Sequence, residues 1–60
     1  MGDGYNILVV DDDEGMREFL ELLLTKENYH VSTARTGKQA VNMIQKHAYD
    51  LVLADIRLGD

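Results

Sequence analysis

Ile7-Leu8-Val9-Val10-Asp11-Asp12-Asp13 is the stretch that decides how the chain is read. Four apolar residues run directly into three carboxylates. An apolar run this short, bounded by polar residues, reads as a strand buried on both faces. Ligands of open α/β sheets bind outside the carboxyl ends of such strands. The acids therefore stand where chemistry is expected. Adjacent like charges repel, and a cluster of them is costly unless it is protonated, well solvated or bridged by a cation. What these acids hold depends on whether another acid joins them.

Working outward, Tyr5 to Val10 reads as the first strand. Glu14 opens a helical pattern in which Met16, Phe19, Leu20, Leu23 and Leu24 recur at i, i+3, i+4, i+7 and i+8, an apolar face expected to be core. Asp13 is the expected N-cap, and Glu14 favours the positive end of the helix dipole. Arg17 and Glu21, four apart, are placed to pair on the outer face. Asn28 is a stop, because Asn tolerates the left-handed backbone that ends many helices.

His30 to Ala34 is a second, more polar strand. Thr36-Gly37-Lys38-Gln39 has the form of a capping box, with Thr at N-cap and Gln at N3. It opens a second helix whose buried side is expected to carry Ala40, Val41, Ile44 and Ala48, flanked by Met43. Leu51-Val52-Leu53-Ala54 is a third strand, and it ends on Asp55. Strand–helix alternation with short connections implies a parallel sheet with right-handed crossovers. The first and third strands are the most apolar and are expected to be neighbours, which leaves the second at an edge. Asp11, Asp12 and Asp55 then converge at one end of the sheet. Hard oxygen ligands of this kind suit Mg²⁺, and a carboxylate can also act as a nucleophile and form an acyl phosphate.

Composition narrows the classes. Sixty residues make one domain at most, and at this size only about 60% of the unfolded surface is buried on folding. There is no cysteine, so neither a disulfide nor a thiolate metal site is available. The net charge of -5 argues against direct contact of this segment with nucleic acid or an anionic membrane. No apolar run reaches membrane-spanning length, and no secretory signal pattern opens the chain. Residues 1–5 read as a flexible leader. The absent cysteine and signal fit a cytoplasmic setting.

Three segments together resemble the N-terminal half of a response-regulator receiver domain of two-component signalling. They are Ile7 to Asp12, Thr36-Gly37-Lys38-Gln39-Ala40-Val41, and Tyr49-Asp50-Leu51-Val52-Leu53-Ala54-Asp55-Ile56-Arg57-Leu58. The resemblance runs from about Asn6 onward and makes residues 6–60 a partial receiver domain. It implies an α/β fold, the βαβαβ half of a flavodoxin-like doubly wound parallel sheet. Strand order 2-1-3-4-5 is the family's. By position, Asp55 resembles the phosphoacceptor and Asp12 the acid that binds Mg²⁺ directly. Asp11 resembles the neighbour that acts through a water, and Arg57 the residue whose backbone carbonyl completes the metal site. The implied reaction takes a phosphoryl group from a histidine kinase onto Asp55.

The family has five strands, and the third strand here would present an apolar open edge. Such edges template pairing. A second copy, a domain swap or further chain is expected to cover it, so a homo-oligomer is one expectation. The Ser or Thr and the Lys that the family places near the phosphate have no counterpart here, and Gly59 stands where many members have Pro. An alternative is a truncated receiver that no longer switches and acts as a dimerisation or assembly module. A weaker match is to haloacid-dehalogenase-like phosphohydrolases, which open on a similar Asp-x-Asp with the first Asp as nucleophile. There a hydroxyl residue often follows, where this chain has Glu14-Gly15. His30 and His47 are isolated and read as surface residues, and Lys38 as solvent-exposed.

Overall fold

The structure is a computed structural model and describes residues 4–54. Its elements are β1 (Asn6–Val10), α1 (Glu14–Lys26), β2 (His30–Ala34), α2 (Gly37–Lys46) and β3 (Leu51–Ala54). The three strands form one parallel sheet in the order β2-β1-β3. The expected adjacency of first and third strands is present, and β1 is the central strand. The chain crosses from β1 to β2 in one direction and from β2 back past β1 to β3 in the other. Right-handed crossovers then require the two helices to lie on opposite faces.

That arrangement explains why β1 is apolar from Ile7 to Val10. Side chains alternate between faces along a strand, and here both faces are covered. Leu8 and Val9 have no measurable exposure, and Ile7 and Val10 retain only 3%. Leu8 and Val10 join Ala34 and Ala40 in a cluster against which Met43 and Tyr49 pack, so this face belongs to α2. Burying an aliphatic side chain of this size stabilises by about 1.5–3 kcal/mol.

The ends of the elements follow local chemistry. Asp13, in extended backbone, accepts hydrogen bonds from the Gly15 and Met16 amides and so caps α1. Asn28 has φ of 71°, the left-handed stop expected of it. The Thr36 hydroxyl accepts from Gln39 N–H at 3.1 Å, but the Gln39 side chain accepts from Arg35 N–H at 2.9 Å, not from Thr36. The reciprocal half of the capping box is thus shifted by one residue. At the amino end of the sheet, Asp50 and Asn6 clasp β3 to β1: Asp50 N–H donates to the Asn6 carbonyl and Asn6 N–H to the Asp50 carboxylate, both at 2.7 Å.

Two expectations about the helices need correction. No residue of α1 is buried; Leu20 and Leu24 are half-buried, while Met16, Leu23 and above all Phe19, at 58%, are exposed. In α2 only Ala40 is buried and Met43 half-buried, whereas Val41, Ile44 and Ala48 are exposed. Both helices lie over β1 and β2 and pack little on β3. Each apolar stripe is therefore wider than the surface that meets it. Leu51 and Val52 of β3 are exposed for the same reason. No described helix is long and apolar enough to cross a membrane.

Candidate functional site

The parallel register sets the position of the site. Val10 pairs with Ala34 on one side and with Ala54 on the other. Asp11 leaves the central strand at the carboxyl end of the sheet, and Asp55 follows Ala54 in sequence as Asp11 follows Val10. Ala54 is the last described residue. Asp55 and Arg57 lie outside the described residues, as do Gly59 and part of the leader over residues 1–5.

The three consecutive acids have three different environments. Asp11 is 5% exposed, the one buried charged residue among those described. Its N–H extends the ladder to the Ala34 carbonyl at 3.1 Å. Its carboxylate accepts from Asp13 N–H at 3.0 Å, and its own carbonyl accepts from the Arg17 guanidinium at 2.8 Å. Asp12 is exposed, and no hydrogen bond engages its carboxylate among the described residues. Asp13 is exposed and committed to the helix cap. Position in the turn thus separates one held carboxylate, one outward carboxylate and one cap.

This donor set can be tested against Mg²⁺. That ion takes hard oxygens, keeps several waters and needs only one or two carboxylates from the protein. Asp12 offers an exposed carboxylate at the open end of the sheet, and Asp11 offers a second that is fixed within the loop. Both are chemically suited. Among the described residues no group of three acids or histidines gathers to form a complete cage. The residues fit the ion as a partial set.

Arg17 has a part that its helical spacing did not suggest. Its guanidinium reaches back over the first turn of α1 to the Asp11 carbonyl, six residues earlier, in place of the outer-face pairing expected with Glu21. The Asp11…Arg17 spacing, with the cap between, is the signal available in the sequence. The histidines are both exposed, as is Lys38.

A parallel β2-β1-β3 sheet with a helix on each face, and acids at the carboxyl end of its central strand, defines a partial flavodoxin-like α/β fold. The chain belongs to the response regulator receiver domain family, which residues 7–60 match. Among its relatives are the response regulators named ArlR of Staphylococcus aureus strains MW2, USA300 and COL. Each is 42% identical over 52 residues, covering 87% of this chain and 24% of the relative. The chain therefore spans about a quarter of the length of the curated relatives it matches. No solved structure matches it.

Proposed function

We propose that the chain is the N-terminal part of a phosphoacceptor module in a two-component phosphorelay. Asp55 takes the phosphoryl group from a histidine kinase. One Asp55 carboxylate oxygen bonds to phosphorus as the phosphorus–nitrogen bond to the kinase imidazole breaks, and water later hydrolyses the acyl phosphate. Mg²⁺ would be held by Asp12 directly, by Asp11 through a water, by Asp55 and by the Arg57 carbonyl. When bound, it offsets the charge gathered between carboxylates and phosphoryl oxygens. Asp11 supports the turn, and Asp12 presents its carboxylate outward. Receivers of this kind act in the cytoplasm, and the net charge of -5 gives this segment no basis for contacting nucleic acid.

The observation that carries the reading is the pairing of a buried Asp11 with an exposed Asp12 at the carboxyl end of the central strand, in a chain of this family. The test is incubation with a small acyl phosphate donor and Mg²⁺. Asp55→Ala is expected to abolish an acid-stable, base-labile adduct, and Asp12→Ala to weaken Mg²⁺ binding. An adduct that survives in Asp55→Ala refutes the assignment. Loss in Asp11→Ala alone would move the nucleophile to the central strand, as in the phosphohydrolase reading.

A second reading, an assembly module, is favoured by one observation. β3 pairs with β1 alone among the described residues and exposes Leu51 and Val52 beside its outer edge. A strictly monomeric species in sedimentation would remove it.

A further inference from the structure

The geometry points to Arg17 as a positioning residue for the acidic turn, one that sets the direction in which Asp12 presents its carboxylate. The inference rests on the Mg²⁺ reading above. Its basis is a closed circuit of hydrogen bonds. From the Asp11 carboxylate the circuit runs to Asp13 N–H at 3.0 Å. From Asp13 it enters α1 twice, through the side-chain cap on Gly15 and Met16 and through the Asp13 carbonyl, which accepts from Arg17 N–H at 3.0 Å. It closes where the Arg17 guanidinium donates to the Asp11 carbonyl at 2.8 Å. That carbonyl belongs to the peptide unit joining Asp11 to Asp12. Peptide units are planar, so fixing the carbonyl fixes the direction in which the Asp12 backbone leaves β1. Asp12 makes no hydrogen bond of its own among the described residues that would do this.

Two accounts of Arg17 predict opposite signs. As a point charge, the guanidinium would repel a divalent cation, so its removal would tighten Mg²⁺ binding. As a positioning group, its removal frees the Asp11–Asp12 peptide and weakens binding. Lysine keeps the charge, but its ammonium ends one atom short of the guanidinium nitrogen that makes the 2.8 Å bond to the Asp11 carbonyl, so Arg17→Lys separates the two. A charge role leaves that variant unchanged, and a positioning role does not.

The experiment titrates the intact 60-residue chain with Mg²⁺ alone. Binding is followed by the amide resonances of Asp12 and Asp13, at a temperature where circular dichroism shows each variant fully folded. The affinity of a fully folded population does not respond to a simple loss of stability. Arg17→Lys is expected to bind at least roughly threefold more weakly and Arg17→Met roughly tenfold, at the lower end of what partners behind metal ligands contribute. Arg17→Lys with unchanged or tighter binding overturns the inference, whatever Arg17→Met does. Should Arg17→Met fail to fold, Arg17→Lys alone decides. If the unsubstituted chain shows no Mg²⁺ response, the metal reading itself fails and takes the inference with it. If only the variants fail to differ from it, the metal reading stands and the role given to Arg17 falls.

Discussion

Asp13→Ala tests whether the third acid is a cap or a ligand. Asp13 accepts from Gly15 N–H at 2.9 Å and from Met16 N–H at 3.3 Å, the second beyond the usual range for such bonds. One good bond and one weak one are therefore lost, at an exposed helix end where water can replace them. Removing such a cap costs about 1 kcal/mol. Two charge effects oppose each other. The carboxylate gains about 0.3–1 kcal/mol from the helix dipole. It also repels the flanking carboxylates of Asp12 and Glu14 by roughly 0.3 kcal/mol each, taking a separation of about 6 Å in water and a twofold reduction by physiological salt. These nearly cancel and leave the cap as the net term. For a domain of this size about 1 kcal/mol lowers the melting temperature by roughly 4–8 °C. Asp13→Asn keeps the acceptor and should melt within about 3 °C of the unsubstituted chain, given that near cancellation. The assay is thermal unfolding by far-ultraviolet circular dichroism, with a Mg²⁺ titration of each variant alongside. If Asp13→Asn is as unstable as Asp13→Ala, or loses Mg²⁺ affinity while remaining folded, the reasoning is wrong and the carboxylate acts through its charge.

Leu8→Ala should remove roughly half of the folding stability and lower the urea midpoint in proportion. Truncating a fully buried leucine costs about 2–5 kcal/mol, against a total of roughly 3–9 kcal/mol for a chain of this length; a urea midpoint close to that of the unsubstituted chain would remove Leu8 from the core. Gly15→Ala should raise the melting temperature by a few degrees, worth about 0.5 kcal/mol or more, because alanine restricts the unfolded chain. The new Cβ would lie 3.4 Å from the Asp13 carboxylate, an ordinary contact. A lower melting temperature would mean that the cap tolerates less crowding than its geometry indicates.

The order of elements was legible because each boundary has a local chemical cause. Asp13, Asn28 and Thr36 act within a few residues of themselves, and the structure places them as their chemistry requires. The helix faces were legible only as faces. Periodicity shows that Phe19 and Ile44 share a stripe with half-buried neighbours, but which part of a stripe meets the sheet depends on how many strands lie beneath it. The different fates of Asp11, Asp12 and Asp13 are likewise a product of the turn, since three identical side chains in a row carry no internal distinction. Arg17 is paired by helical spacing with Glu21 along its own helix. Its reach to Asp11 depends on the angle between α1 and the strand end, which helical spacing alone does not encode.

The central position of β1 has a consequence during synthesis. Its first partner, β2, begins at His30, and its second lies much further on: Asn6 and Asp50, which clasp each other across the sheet, are 44 residues apart in sequence. At about 5–20 residues per second a ribosome needs roughly 2–9 seconds to make the intervening chain. Through that interval Ile7-Leu8-Val9-Val10 has been made and its last partner has not. The most buried segment of the finished fold is thus the one that waits longest, and it is there that a nascent chain would most need shelter from its neighbours.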